Sequence, residues 1–383
     1  MRHSRFAWLL PVLFMAGCEP FDPWFDYAPD EKDTRLQFIG RMDWSTKDGP
    51  TYAHSGVTVR FRCNCTGVDV AFEDHGTGGP EHTNWVNVIV DGKTQAKVEL
   101  KPGRNVLRGA RNLPRGEHLI EIVKRTEPYA GPIQFLGVSV QGVLVDPPPW
   151  PEKRFEFIGD SITCGYGNEV DIYAPTYTEP NTGYHSKNED ISQAYGSLLG
   201  RKFNAEVVTT CISGTGVYRN INDDAGSTVG KAFPSLYTRI YPDREAPLWN
   251  PKWYQPELIV INLGNNDFNV SGPDGLPTAP DPTEFKKAYA AFVRQLREYY
   301  PKAKIVCSVG PMMNDNYPPG REHWTKMKMY VGDMVTALGD PNVYDFAYTP
   351  IVGDPYGEDW HPTNESHAEM AEEIAPFIRR LGF

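Results

Sequence analysis

Two hydrophobic rhythms divide this chain. From about residue 34 to 145, apolar and polar positions alternate with a period of two: Val57, Val59 and Phe61 alternate with Thr58, Arg60 and Arg62, and Val86, Val88 and Val90 with Asn87 and Asp91. Such alternation gives each segment one face for a core and one for water, as in half-buried strands. Asp91-Gly92, between two such runs, is a hairpin signal. Segments 36–41, 68–73, 97–100, 118–125 and 133–140 read as further strands. Many short strands and no helical stretch predict a sandwich or jelly roll over residues 34–146.

The run Asp146-Pro147-Pro148-Pro149-Trp150-Pro151 stops regular structure, because proline removes backbone donors and restricts its predecessor. Residues 147–152 are therefore expected to be a short, stiff linker. Beyond it the rhythm changes. Segments 155–158, 206–210, 258–263, 304–309 and 343–346 are apolar and rich in β-branched residues, as in strands covered on both faces. Between and after them, 192–203, 282–299, 321–338 and 364–380 have helical spacing. Strand and helix in alternation predict an α/β domain over 153–383, with a parallel sheet and right-handed crossovers. Ligands in such folds bind at the carboxyl ends of the strands.

The N-terminus changes where the chain is expected to work. Arg2, His3 and Arg5 precede an apolar run, Phe6 to Phe14, which ends in Met15-Ala16-Gly17-Cys18. That run is too short to span a bilayer as a mature helix, and it reads as an export signal over residues 1–17. Small residues before a cysteine resemble the lipobox of bacterial lipoproteins, which implies lipidation at Cys18, a tether over 18–33, and a periplasmic or cell-surface protein held to the membrane only by that lipid. An ordinary signal peptide is the other reading.

The formal charge of -11 speaks against nucleic acid, because no basic stretch is present to displace phosphate counterions. A neutral glycan fits better. Cys63 and Cys65 flank one Asn, a cramped spacing for a bridge, without the further ligands of a zinc site. Cys164 and Cys211 read as buried thiols, with a disulfide as the alternative in an oxidising compartment. His54, His75 and His82 match no metal spacing and read as solvent-facing or loop histidines.

Four segments carry the candidate chemistry. Gly159-Asp160-Ser161 follows the first strand of the second domain and offers a hydroxyl where the chain enters a helix, close to backbone N–H groups that suit an oxyanion. Cys211-Ile212-Ser213-Gly214 follows the second, and a glycine there lets an N–H approach a ligand. Gly264-Asn265-Asn266-Asp267 follows the third; an Asn side chain supplies a further donor, and Asp267 reads as a loop stabiliser. Gly357-Glu358-Asp359-Trp360-His361-Pro362 precedes the last helix and places a histidine beside carboxylates. Each segment alone is an ordinary turn or loop.

In this order they resemble the four signature blocks of the SGNH, or GDSL-type, hydrolases, with Ser161, Gly214, Asn266 and His361 as the name-giving residues. The resemblance implies a flavodoxin-like three-layer fold and a serine esterase without metal or organic cofactor. A β-sandwich ahead of such a domain, with Asp-Trp-His-Pro in the last block, further resembles carbohydrate esterase family two. That resemblance implies deacetylation of acetylated sugars and polysaccharides such as xylan or glucomannan, with a preference for the 6-hydroxyl. It also implies Asp359, or a backbone carbonyl, as the partner of His361, whereas the broad SGNH pattern places the acid at Glu358. Tyr166, Tyr218 and Trp360 are candidates for a sugar-stacking surface. A lipid or thioester hydrolase of the same superfamily and a non-catalytic carbohydrate-binding lipoprotein are the competing readings.

Overall fold

The structure, a computed structural model, describes residues 23–174, 177–221, 223, 232–353 and 355–383. Residues 1–17 and Cys18, on which the export and lipidation readings fall, lie outside the described residues.

The first domain is antiparallel throughout. Its strands are β1 (Trp24–Tyr27), β2 (Gln37–Ile39), β3 (Thr51–Tyr52), β4 (Thr58–Asp74), β5 (Trp85–Val90), β6 (Lys93–Glu99), β7 (Gly103–Ala110), β8 (Glu117–Lys124) and β9 (Ile133–Val145). Their inward positions, including Val59, Phe61, Val70, Phe72, Val86, Val88, Ile120, Ile122 and Phe135, form one core, as the period-two pattern requires. β5 and β6 are the expected hairpin, with Asp91 and Gly92 both at positive φ.

Two expectations fail here. The strands expected around residues 57–62 and 68–73 are one 17-residue strand, because register shifts between Cys65 and Gly67 and between Ala71 and Phe72 absorb the breaks in alternation. The stretch expected to be a tether contributes β1, which pairs with β9 from Trp24↔Gln141 to Tyr27↔Val138. Its length of four residues hides it from pattern reading.

The Pro-rich segment is pinned rather than free: Gln37 Nε2 donates to the Pro148 carbonyl at 2.8 Å, and the Arg60 guanidinium lies 5.4 Å from the Trp150 ring centroid. The second domain follows with β10 (Lys153–Gly159), α1 (Ser161–Cys164), α2 (Tyr195–Phe203), β11 (Ala205–Cys211), α3 (Phe233–Leu236) and β12 (Leu258–Asn262). A small hairpin, β13 (Val270–Ser271) and β14 (Pro277–Thr278), precedes α4 (Pro282–Tyr299), β15 (Lys304–Val309), α5 (His323–Leu338), β16 (Val343–Ala347) and α6 (Asn364–Arg380).

The five long strands form a parallel sheet in the order β11-β10-β12-β15-β16. All of β12 is buried, and its residues alternate between two cores. Ile259 and Ile261 meet α4 and α5 through Phe285, Val293, Met327 and Val331, whereas Leu258 and Val260 meet α2 and α6 through Leu199, Ile374 and Ile378. This is the flavodoxin order, and its switch point lies where β11 and β12 flank β10.

The domains share buried polar contacts. Arg41, from the loop after β2, pairs with Glu156 of β10 at 2.9 Å and donates to the Tyr237 carbonyl; Glu156 also accepts from Thr210 Oγ1 and the Tyr237 hydroxyl. Arg125 and Asn87 of the first domain bind Asp190 of the second at 2.9 and 3.0 Å. His54 is fully buried at this boundary, with Nε2 3.1 Å from the Arg239 carbonyl, and is not solvent-facing.

Candidate active site

β10 delivers Ser161 to the carboxyl edge of the sheet. At the turn Asp160 takes an extended conformation and caps the short helix α1, accepting from the Ile162 N–H at 3.1 Å. α1 is only four residues long, so its dipole contributes little. Ser161 Oγ lies 2.7 Å from His361 Nε2, and both residues are 8% exposed. Burial pushes the His361 imidazole down to about 4 against the pull of the Glu358 carbonyl and the Asp359 charge, so at neutral pH it is a proton acceptor.

The partner of His361 Nδ1 is the main-chain carbonyl of Glu358, at 2.9 Å. Of the alternatives left open by the sequence this is the backbone carbonyl, which corrects the preference for the Asp359 carboxylate and its reserve at Glu358; both side chains are committed elsewhere. Asp359 accepts from the Tyr166 hydroxyl at 2.6 Å and the Gly183 N–H at 2.9 Å. Glu358, 1% exposed, accepts from the His185 N–H, His185 Nδ1 and Asn188 Nδ2 at 2.9, 2.7 and 2.6 Å. These bonds hold a tight loop in which Asp359 and Trp360 both have positive φ, 48° and 61°. Gly167 is required beneath it, since a Cβ there would lie 2.4 Å from the Glu358 Cβ.

Ser161, Gly214, Asn266 and His361 line one cavity of about 1140 Å³. Gly214 has φ 74°, the left-handed region that favours glycine. Asn266 Nδ2 donates to the Thr215 carbonyl at 2.9 Å and to Asp160 Oδ2 at 3.2 Å. Burial pushes the Asp160 carboxyl up to about 7. Asp267 serves the loop, accepting from the main-chain N–H groups of Val217, Tyr218 and Arg219.

The aromatic candidates separate. Trp360 is 49% exposed at the cavity wall. Tyr166 also lines the cavity, but its ring stacks on His361 at 4.0 Å and lies 4.8 Å from Tyr184, so its faces are occupied. Tyr218 is not on the wall; it rests against the core around Phe268 and Phe285, because the Asp267 bonds fold its backbone that way. This corrects its assignment to a sugar surface.

Pattern reading did not foresee Glu127. This β-domain residue reaches the wall and accepts from the Ser213 N–H at 2.8 Å and from the Ser213 hydroxyl, thereby holding the segment that carries Gly214. No local signal marks it, since its partner is 86 residues away. Cys164 and Cys211 are joined by a disulfide with Cα atoms 5.6 Å apart, which overturns the reading as two thiols; Cys63 and Cys65 are also bridged. Glu127, Glu189 and Cys164 bring three potential ligand atoms within 4.8 Å of one another, but the sulfur is spent in the disulfide and the Lys124 charge acts on both carboxylates.

Fold and site together are those of an SGNH-type hydrolase. Residues 38–149 match the carbohydrate esterase 2 N-terminal family and residues 157–369 the GDSL-like lipase/acylhydrolase family. The chain is 33% identical over 362 residues to the cellulase/esterase CelE of Acetivibrio thermocellus, covering 93% of itself and 41% of that protein, so it spans less than half of this relative. It is 27% identical to an acetylxylan esterase/glucomannan deacetylase of Cellvibrio japonicus, covering 91% of itself and 89% of that protein. A family two carbohydrate esterase from Clostridium thermocellum, solved in complex with cellohexaose, superposes with a TM-score of 0.79 at 32% identity, over 91% of this chain and 99% of that one. The chain belongs to the family two carbohydrate esterases, within the GDSL-like hydrolases.

Proposed function

We propose that this chain is a serine esterase that removes acetyl groups from O-acetylated carbohydrate such as xylan or glucomannan, and that on hexose units, which alone carry one, the 6-hydroxyl is the position served. The observation that carries this reading is the 2.7 Å separation of Ser161 Oγ and His361 Nε2 in a cavity that also takes in Gly214 and Asn266. His361 Nε2 accepts the Ser161 proton as Oγ attacks the acetyl carbonyl carbon. The tetrahedral intermediate expels the sugar oxygen, which takes that proton, and water then repeats the sequence on the acyl-enzyme. The Glu358 carbonyl accepts from Nδ1–H and keeps Nε2 free as the base. The N–H groups of Ser161 and Gly214 and the Asn266 amide hold the oxyanion. The Asn266 contact with Asp160 is the longer of its two and is the one the oxyanion replaces.

Among the described residues, the wall bears the carboxyl groups of Glu81, Glu127, Asp160 and Asp359 and no lysine or arginine, which favours an uncharged glycan. Trp360 is the stacking platform nearest the base, and Tyr166 braces His361. Acetate release from acetylated xylan, glucomannan, chitin oligomers and simple sugars tests the reading. Wild type is expected to release acetate from at least one, and Ser161→Ala from none; turnover by Ser161→Ala, or none by wild type, would sink it.

For location, the proposal is export through residues 1–17 with a lipid on Cys18. Cys18→Ser is then expected to move the protein from the membrane to the soluble fraction; unchanged sedimentation would refute the anchor.

A further inference from the structure

Tyr129 stands on the 3-10 turn Pro128–Ala130, which leads from β8 towards β9 in the β-sandwich. Its side chain is 57% exposed, yet it belongs to the wall of the same cavity as Ser161. A single exposed aromatic needs no explanation by itself. This one is held on three sides. The His82 ring lies 4.5 Å away at 46°, and His82 Nδ1 is 3.0 Å from the Tyr129 carbonyl. Tyr184 meets it at 6.2 Å and 65°. The residue before the turn, Glu127, is tied to Ser213 through its side chain and to Glu189 Oε2 through its N–H at 3.1 Å.

The turn that presents Tyr129 is thus fixed relative to the Gly214 segment, although the two belong to different domains. An aromatic ring held in place and left bare towards a cavity suits the C–H face of a pyranose, because ordering it costs little on binding. Glu81, also on the wall, is an acceptor for sugar hydroxyls.

We infer that Tyr129, braced by His82, forms an outer subsite on the β-sandwich for a pyranose ring of the acetylated glycan other than the one whose acetyl group meets Ser161. The inference rests on the esterase reading above. The cavity's continuity from Ser161 to Tyr129 commits the subsite to the same neutral chain.

The test compares kcat/KM on acetylated manno-hexaose with kcat/KM on acetylated mannose. The ratio of the two is expected to fall about threefold to tenfold in Tyr129→Ala. In Tyr129→Phe, which keeps the ring, it is expected to stay near the wild-type value. An unchanged ratio in Tyr129→Ala overturns the subsite, as does an equal fall in both variants. Wild type that releases acetate from none of the glycans above, these two included, overturns the esterase reading instead, so the two failures are distinct.

Discussion

Ser161 and His361 are equally sheltered and touch each other, yet opposite means hold them. Ser161 leaves a strand paired on both sides, with β11 and with β12, and its turn is capped by Asp160. Regular hydrogen bonding fixes it. His361 ends a loop in which two consecutive non-glycine residues adopt left-handed backbone, at a cost of about 1 kcal/mol or more each. Five hydrogen bonds to the Glu358 and Asp359 carboxylates offset that cost. The acids beside the base therefore work at one remove: they shape the loop whose carbonyl orients the imidazole.

That contrast can be broken or sharpened by experiment. The largest effect is expected on the side of the nucleophile. Asn266→Ala removes the proposed oxyanion donor and should lower kcat by roughly 10²- to 10³-fold in protein that still folds, though less stably for the loss of its two buried hydrogen bonds. Turnover equal to wild type would remove Asn266 from the mechanism.

A smaller effect is expected on the side of the base. Asp359→Asn keeps an acceptor for one of the two donors it serves and should cost no more than about tenfold in kcat. A loss near 10⁴-fold, as when the acid touching the histidine of a Ser-His-Asp triad is neutralised, would mean that the carboxylate reaches the imidazole directly.

The subtlest readout is the pH profile. Burial pushes His361 down to about 4, and the proposed mechanism needs the neutral imidazole. The limb of kcat/KM that belongs to His361 should therefore fall about tenfold per unit below pH 4. A limb centred near the ordinary histidine value of about 6.5 would show the ring to be solvated or paired with a full negative charge.

Much of the scaffold was readable from hydrophobic rhythm. The helices over 282–299 and 364–380 lie where their spacing put them, because each buries one stripe and carries a capping residue: Asp281 before Pro282, Thr363 before Asn364. β4 was not readable as one element, since bulges restore inward orientation only through partners far along the chain. In the site, Ser161 and His361 could be singled out because short local blocks carry them. For the partner of His361 a main-chain carbonyl stood among the alternatives but could not be chosen over Asp359 or Glu358, because such a carbonyl has no letter of its own. Glu127 and Tyr129 escaped for a related reason. Their importance arises where the β-sandwich meets the cavity, and nothing in their own neighbourhood announces it.

The buried Arg41–Glu156 pair bears on how such a polypeptide can be divided. The proline-rich junction looks like a natural place to cut, and a fragment starting there would retain every residue of the proposed reaction. It would also inherit an anion in its central sheet with the matching cation left behind, a loss of about 3–5 kcal/mol in comparable pairs. The sandwich is less a passenger than a counter-ion supplied in cis, so recombination would have to carry both halves together.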